Sequence, residues 1–310
     1  MALLLPLTGD HAALGLSMQR AAALAESDAA LMQVIDTGGT APGAAAAAAE
    51  AIKRKAAMIF GPLTADEARA AAATVAGRVP VIAFTNDAAV AATGAWVFGL
   101  TPRQSTSAVL RYARSRGVKS VVVLGDASPW SSAASAAAQA LQGELGIDVR
   151  AITVTPGQPL PGAGDPPDAV LATGSGEGVL AAARNLKDTG VQLLATLQAL
   201  DHRPSALEAL QGAWIAAPDP KAFGEFSSTF EAKVGGAPGA LAALAYDAAG
   251  IGRSLRADHK LDRAGLLATD SFACVTGAVR FRADGSCARE LAIVVAGPAG
   301  YESVATSRGA

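Results

Sequence analysis

Residues 58–84 read MIFGPLTADEARAAAATVAGRVPVIAF, a segment in which two apolar runs enclose an alanine-rich stretch. The runs at 58–60 and 79–84 are apolar on both faces, which is typical of strands buried in a parallel sheet. Residues 66–76 between them consist largely of alanine, the residue with the highest helix propensity. A strand, a helix and a second strand in this order predict a βαβ unit.

The same alternation recurs along most of the chain. Further strands are predicted at residues 2–7, 32–36, 96–100, 120–124, 149–154, 168–172, 192–195 and 213–216, and further helices at 42–55, 105–116, 132–145 and 178–189. Prolines and glycines break the pattern at 155–167 and predict a loop there. Because about ten strands are too many for one compact doubly wound sheet, we expect an α/β fold with two mainly parallel sheets and helices on both faces.

The pattern changes near the end of the chain. Residues 275–285 read VTGAVRFRADG, a strand that enters an Asp-Gly turn, and residues 291–295 predict the returning strand of an antiparallel hairpin. Cys274 and Cys287 flank this turn. A hairpin can bring the two thiols close together, so we expect either a disulfide in an oxidising compartment or two unpaired core cysteines.

Composition and charge exclude several classes of function. Of the 310 residues, 51% are hydrophobic and 17% are charged, so the chain can bury a large core and is not disordered. It carries 25 basic and 27 acidic side chains, a balance that offers no basic field for nucleic acid. No apolar run reaches the roughly 18 residues that a membrane span needs.

The sequence contains no motif that predicts a metal or a cofactor. His11, His202 and His259 are far apart, without a second ligand at metal-binding spacing. The segment TGSGEG at residues 173–178 follows a predicted strand, but its alternating glycines do not match the GxGxxG pattern of a dinucleotide site. We therefore expect neither a metal nor a cofactor.

Three turns between a predicted strand and a helix carry polar side chains. They lie at residues 60–67, 84–87 and 173–178. Each turn alone is typical of an ordinary helix cap, and Thr64 with Glu67 forms a capping-box pattern in the first. Because binding crevices lie at the carboxyl ends of parallel strands, the three turns together predict a polar crevice.

The order of several short motifs resembles one known family. Residues 3–9, LLLPLTG, followed by Ala13-Leu14-Gly15 and an alanine-rich helix, resemble the opening of the Leu/Ile/Val-binding family of periplasmic solute-binding proteins. Residues 36–40, 59–63 and 79–83 match the next three strands in order and spacing. The motif at 245–248 and the hairpin continue the match, which therefore covers nearly the whole chain.

This resemblance implies a type I periplasmic binding protein fold, with two Rossmann-like lobes and a hinged cleft that closes on a small ligand. Three crossovers would divide the chain into an N-terminal lobe (1–100 plus 220–272) and a C-terminal lobe (101–219 plus 273–310). Closure would be a hinge motion driven by ligand contacts to both lobes. Nothing in this mechanism needs a catalyst, so the protein is expected not to be an enzyme.

The resemblance also implies ligand-binding positions, several of which carry an unexpected residue here. Leu14 occupies the position of an aromatic ring that stacks on the ligand. The hydroxyl that holds the ligand carboxylate falls at or beside Ala65, with Thr64 as a substitute. Thr85 and Asp87 match the contacts made after the next strand.

In the second lobe the resemblance assigns one aromatic residue and two further positions. Trp130 fits the aromatic residue, whereas Ser175 replaces a tyrosine and Gln198 lies near the carboxylate that neutralises a ligand ammonium group. A buried ammonium group needs an anionic partner, since an unpaired charge costs several kcal/mol. Asp87 or Glu177 is expected to supply it.

Other segments resemble a subgroup of this family, the lipoprotein activators of penicillin-binding proteins. These segments are residues 172–177, 214–220 and 244–248. The sequence thus leaves two hypotheses: a receptor that delivers a small ligand to an ABC permease, or a protein that contacts a penicillin-binding protein with the same fold. Both imply a periplasmic location, with a signal peptide removed ahead of Met1 and a lipid anchor in the precursor as one alternative.

Overall fold

A computed structural model of the chain describes residues 1–28, 30–153 and 166–309. It divides the chain into two compact units, the first formed by Met1–Thr101 and Lys221–Ala288 and the second by Pro102–Pro220 and Arg289–Ala310. Each unit contains helices and its own mainly parallel sheet, so the predicted α/β class with two sheets is confirmed. Most of the predicted loop at 155–167 lies outside the described residues.

The described strands and helices alternate along most of the chain. In chain order they are β1 (Ala2–Leu5), α1 (Ala12–Ala25), β2 (Gln33–Asp36), α2 (Ala41–Lys53), β3 (Ile59–Phe60), α3 (Ala65–Val75), β4 (Val81–Ala83), β5 (Trp96–Val97), α4 (Pro102–Ser115), β6 (Ser120–Gly125), α5 (Pro129–Leu145), β7 (Asp148–Thr153), β8 (Ala169–Ala172), α6 (Glu177–Leu186), β9 (Gln192–Ala195), α7 (Pro204–Ala209), β10 (Trp214–Ala217), α8 (Pro220–Val234), α9 (Ala240–Ala257), α10 (Arg263–Ala268), β11 (Val279–Phe281), β12 (Cys287–Gly297) and β13 (Gly300–Gly309). Short 3₁₀ helices lie at Ala88–Thr93 and Leu197–Ala199.

The first unit is built on a parallel five-stranded sheet with the order β2-β1-β3-β4-β5. Successive residues of a strand point to opposite faces. Accordingly, Leu3 and Leu5 belong to one buried hydrophobic cluster, which includes residues of α1 and α9, whereas Leu4 belongs to another. The five predicted strands of this sheet therefore exist, and each is shorter than the apolar run that predicted it. β1, β3, β4 and β5 are buried, whereas the edge strand β2 is only partly buried.

Alanine accounts for the close packing on the second face of this sheet. Ala47, Ala48 and Ala51 of α2 and Ala68 and Ala71 of α3 are buried in the same cluster as Leu4. Because a methyl group adds little bulk, the two helices can lie close to the strands and to each other. The alanine-rich composition is thus a packing feature of the helices that cover the sheet.

The second unit is built on a mixed sheet in which β6 to β10 run parallel, with the order β10-β9-β8-β6-β7. On its other side β10 pairs antiparallel with β12, and β12 pairs antiparallel with β13. Strand β13 was not predicted from the sequence. The reason is its composition, because its ten residues, of which five are exposed, are mainly small or polar and lack the apolar alternation that marked the other strands.

The predicted hairpin is present, with β11 and β12 as its strands, and the amide of Arg282 donates to the carbonyl of Ser286 across its turn at 2.9 Å. Phe281 stacks on Phe98 with ring centroids 5.8 Å apart, and Trp96 Nε1 donates to the Arg282 carbonyl at 2.7 Å. These contacts place residues 273–288 in the first unit rather than in the second lobe, where the resemblance had placed them.

The two cysteines share one hydrophobic environment in the first unit. Cys287 is a buried member of the cluster that contains Phe281, and Cys274 is partly buried against the same cluster. Their location in one cluster is compatible with either expectation from the sequence. The disulfide stays a prediction.

An ion pair joins the end of α1 to the last turn of α9. Glu26, which is 8% exposed, accepts a hydrogen bond from the Arg256 guanidinium, and this bond holds the pKa of Glu26 below its ordinary value. A carboxyl group whose pKa is lowered on folding stabilises the folded state above its unfolded pKa of about 4.3. That contribution is lost as the pH falls through the lower, folded value.

Glu26→Gln is expected to lower the free energy of unfolding by about 2 kcal/mol at pH 7, because it leaves the partly buried Arg256 guanidinium without its anion. The difference from the wild type should shrink as the pH falls below about 4. Urea unfolding at a series of pH values measures both effects. Glu50→Gln is the matched control, since Glu50 forms its ion pairs on the exposed surface of α2, and an equal loss in both variants would contradict the prediction.

Candidate functional site

In the first unit, the predicted ligand-binding residues all follow the carboxyl ends of three neighbouring strands. Leu14 follows β1, Thr64 and Ala65 follow β3, and Thr85 and Asp87 follow β4. These strands are adjacent and parallel, so their carboxyl ends lie at one edge of the sheet. That edge is where open parallel sheets bind ligands.

Thr64 is held by a capping box at the start of α3. Its hydroxyl oxygen accepts from the Glu67 amide at 3.4 Å, and its own amide donates to Glu67 Oε2 at 2.9 Å. Glu67 is 1% exposed and also accepts from the Thr37 hydroxyl. Since the cap uses the Thr64 oxygen only as an acceptor, its hydroxyl hydrogen can still be donated to a ligand. Ala65, the first residue of α3, contributes only a methyl group beside it.

Thr85 and Asp87 organise the turn that follows β4. The Thr85 hydroxyl accepts from the Asp87 amide at 3.1 Å, and Asp87 Oδ1 accepts from the Ala89 amide at 2.9 Å. Asp87 Oδ2 accepts from the guanidinium of Arg69 on α3. The carboxylate that was expected to pair with a ligand ammonium group is therefore already neutralised by an arginine.

Leu14 lies on α1, partly buried against the hydrophobic cluster of the first unit. It presents no aromatic ring at the position where the resemblance implies one. In this unit a ligand would therefore meet hydroxyl groups and backbone amides, not an aromatic wall.

The second unit repeats the arrangement at the ends of β6, β8 and β9, which are also adjacent and parallel. Trp130 lies in the first turn of α5 and donates from Nε1 to the Thr196 hydroxyl at 3.2 Å. The hydroxyl groups of Ser131 and Thr173 are 2.8 Å apart, and Thr173 donates to the Leu124 carbonyl at 3.1 Å. Trp130 is thus a half-buried aromatic ring anchored to the end of β9 beside a layer of hydroxyl groups.

The remaining predicted positions of this unit are exposed. Ser175 lies in the loop between β8 and α6, and Gln198 lies in the 3₁₀ helix that follows β9. Glu177 begins α6, and its carboxylate is 3.4 Å from the Arg184 guanidinium and 3.8 Å from that of Arg203. Glu177 is thus an exposed carboxylate in two loose ion pairs, which solvent weakens, whereas Asp87 is paired closely with Arg69.

Sequence reasoning missed Asp126, which follows β6 directly. Its Oδ1 accepts from the Ser128 amide at 2.9 Å, and the hydrogen bond with the Ser128 side chain holds the pKa of Asp126 below its ordinary value. The rule that selected Thr85 and Asp87, a polar residue just after a buried strand, would have found it. Asp126 therefore joins the candidate residues as an ionised carboxylate.

An open groove of about 640 Å³ lies in the second unit, between α7 and the turn that joins β12 to β13. Residues 202–211 and 296–300 contribute its lining, so none of the predicted site residues lines it. Among the described residues, no group of three metal-ligating side chains could hold an ion, and no helix has the length and apolar character to cross a membrane.

The chain forms two α/β units of this topology, each from discontinuous segments. This architecture is that of the two-lobed periplasmic binding folds. The sequence itself agrees, since the family of periplasmic binding proteins matches residues 1–297. The chain belongs to this family, and the resemblance seen in its motifs is confirmed. No curated protein matches the chain.

Solved structures share the fold over almost the whole chain. A putative branched-chain amino acid ABC transporter from Rhodospirillum rubrum superposes with a TM-score of 0.84, at 20% identity over 98% of this chain and 99% of that chain. The substrate-binding protein LivJ from Streptococcus pneumoniae, in complex with isoleucine, gives 0.62 at 18% identity over 99% and 98%. The C-domain of LpoA (YraM) from Haemophilus influenzae, a regulator of PBP1A, gives 0.77 at 17% identity over 98% and 99%. At these identities the likeness establishes the fold alone.

Proposed function

We propose that this protein is a non-catalytic periplasmic receptor that captures a small, polar, amino-acid-like ligand for an ABC permease. One observation carries the proposal: in each unit the candidate residues cluster at the carboxyl ends of three adjacent parallel strands. Family membership and the neighbouring transporter proteins support it.

Each candidate group has a role in this proposal. The hydroxyl groups of Thr64 and Thr85 and the amides of the neighbouring turns bind the ligand carboxylate, as helix amino termini commonly do. The Trp130 ring packs on the apolar part of the ligand. Ser175 and Gln198 add neutral polar contacts, while the methyl and isobutyl groups of Ala65 and Leu14 only shape the site.

The alternative proposal is an activator of a penicillin-binding protein, and a specific observation favours it. Asp87 is paired with Arg69, Glu177 lies in exposed ion pairs with Arg184 and Arg203, and Gln198 is neutral, so none of these three positions offers an unpaired carboxylate to a zwitterionic ligand. A fold that has lost its ligand contacts could serve protein–protein contact, since one fold hosts many functions. Under this proposal the partner is a cell-wall synthase rather than a permease.

A thermal-shift panel of the twenty L-amino acids and their deaminated analogues separates the two functions. We expect at least one amino acid at saturating concentration to raise the melting temperature by about 5 °C, because binding to the folded state alone stabilises it by mass action. Trp130→Ala should remove most of that rise. A wild-type protein that no compound stabilises, but that retains a purified penicillin-binding protein on a column, would establish the alternative instead.

A further inference from the structure

Thr196 connects the indole ring of Trp130 to the interior of the second unit. It directly follows β9 and is fully buried. Its hydroxyl accepts a hydrogen bond from Trp130 Nε1 at 3.2 Å and donates to the Thr173 carbonyl at 3.4 Å. Because an indole N–H can only donate and a hydroxyl has a single hydrogen, the direction of both bonds is fixed. Thr196 is therefore the acceptor that the indole ring uses.

A second contact holds the residue next to the ring. The hydroxyl of Thr173, which is also fully buried, donates to the Leu124 carbonyl at 3.1 Å, so the Ser131 hydroxyl 2.8 Å away must donate to Thr173. Ser131 directly follows Trp130 and is fully buried. The ring nitrogen and the backbone beside the ring are thus bound to two neighbouring strand ends.

The acceptor itself is held in place by its own neighbours. The Thr196 amide donates to the Ala172 carbonyl at 3.3 Å, and the amide of the next residue, Leu197, donates to Ser105 Oγ at 3.0 Å. Ser105 lies on α4, is fully buried, and donates in turn to the Ala216 carbonyl at 3.1 Å. The indole ring is therefore bonded to a fixed point of the fold.

These bonds determine which part of Trp130 a ligand can use. Trp130 is half-buried, so part of its ring is accessible, whereas its N–H group is already satisfied by a fully buried acceptor. The accessible part of the ring is apolar and offers a ligand contact area without a hydrogen bond. A side chain that is already fixed in one orientation also loses less conformational entropy when a ligand binds.

We propose that Thr196 is a positioning residue, which holds the indole ring of Trp130 in the orientation that a ligand meets and keeps the N–H group of the ring turned away from the ligand. The ligand-binding part of this inference rests on the receptor function proposed above. Thr196 acts through Trp130 and does not itself contact the ligand. Loss of its hydroxyl should therefore weaken binding only because the ring is released.

The first experiment needs no ligand and follows hydrogen exchange at the indole N–H groups by NMR, with the Trp130 signal assigned by its absence in Trp130→Phe. In the wild type, Trp130 should exchange more slowly than Trp214, which is also half-buried but has no acceptor for its N–H among the described residues. Thr196→Val removes the acceptor and should accelerate exchange at Trp130 about 10-fold or more. Thr196→Ser keeps the hydroxyl and should stay within about 2-fold of the wild type.

Thr189→Val is the matched control. The Thr189 hydroxyl also donates to a backbone carbonyl, that of Leu186 at 2.7 Å, but it is exposed in the turn before β9. This variant should leave exchange at Trp130 within about 2-fold of the wild type. Far-ultraviolet circular dichroism verifies that each variant is folded.

The second experiment is calorimetric titration with each of the twenty L-amino acids that stabilises the wild type in the thermal panel. Thr196→Val should weaken binding about 10-fold, whereas Thr196→Ser and Thr189→Val should bind within about 2-fold of the wild type. In a Trp130→Phe background, Thr196→Val should have no further effect on affinity, because a phenyl ring has no N–H group to hold.

The outcomes separate the positioning role from the receptor function. The role of Thr196 is overturned, and the receptor function stands, if Thr196→Val leaves exchange at Trp130 unchanged or weakens binding equally with and without the indole ring. It is overturned as well if Trp130 exchanges as fast as Trp214 in the wild type. If the wild type binds no amino acid although Thr196→Val accelerates the exchange, the receptor function and the ligand-binding part of the inference are overturned, while the hold of Thr196 on the ring is confirmed.

Discussion

Gly15→Ala is expected to lower the free energy of unfolding by about 3 kcal/mol or more, because the structure leaves no space for a side chain at this position. A Cβ atom on Gly15 would stand 2.0 Å from the carbonyl oxygen of Pro6 and 2.7 Å from its carbonyl carbon. Both neighbours are backbone atoms of the segment that leaves β1. Relief of the overlap therefore requires α1 to move away from the end of the strand.

Gly250→Ala is the matched control. Gly250 lies inside α9, and a Cβ atom there would meet nothing within 4 Å. Alanine is the better helix former by about 1 kcal/mol, so this variant should be as stable as the wild type or more stable. Urea unfolding followed by circular dichroism measures both variants, and equal midpoints for the two would show that α1 and β1 are not packed as described.

Gly15 also shows which features of the structure can be predicted from the sequence and which cannot. Ala13-Leu14-Gly15 resembles a family motif, but the physical need for the glycine is visible only with the Pro6 carbonyl beside it. The fold class was predictable because each βαβ unit is encoded locally, by apolar runs and alanine-rich stretches that follow one another. Close approaches between segments have no comparable local signal.

The third boundary between the units was unpredictable for a similar reason. Phe281 packs on Phe98, Trp96 Nε1 reaches the Arg282 carbonyl, and both contacts join residues more than 180 positions apart in the chain. Residues 273–288 contain no periodic pattern that indicates which unit they pack in. The strand in this segment was predicted, but the first-unit residues against which it packs were not.

In the candidate site, the positions were easier to predict than the charges. Polar turns after buried strands identified Thr64 and Thr85, and the family resemblance identified Trp130; all three lie after strand ends of their units. The neutralisation of Asp87 by Arg69 was hidden, since the arginine lies on α3, eighteen residues earlier in the sequence. Whether a carboxylate is available to a ligand depends on such a partner.

Asp247 is a buried carboxylate that holds the segment before β11 against α9. It is 4% exposed, accepts from the Val275 amide at 2.8 Å through Oδ1, and accepts through Oδ2 from the amide and the hydroxyl of Thr276 at 3.0 and 2.6 Å. Thr276 is fully buried. The two Thr276 donors therefore have no access to water that could replace the carboxylate, and the Val275 amide is partly buried.

Asp247→Ala is expected to lower the free energy of unfolding by about 4 kcal/mol, since each buried donor left without its acceptor costs about 1–3 kcal/mol and the three share one site. Asp247→Asn should recover only part of the loss, because an amide offers one acceptor where the carboxylate offers two. Asp258→Asn, at the exposed end of the same helix, is the control and should change stability by less than about 0.5 kcal/mol.

Chemical denaturation of the wild type and the three variants, followed by circular dichroism, measures their stability. It shows whether the loss is specific to Asp247 or follows from any substitution at α9. The order of stability should be wild type and Asp258→Asn, then Asp247→Asn, then Asp247→Ala. Hydrogen exchange at the amides of Val275 and Thr276 should accelerate in the two Asp247 variants, because those amides lose their acceptor. An Asp247→Ala protein with wild-type stability and unchanged exchange at both amides would contradict the anchoring role.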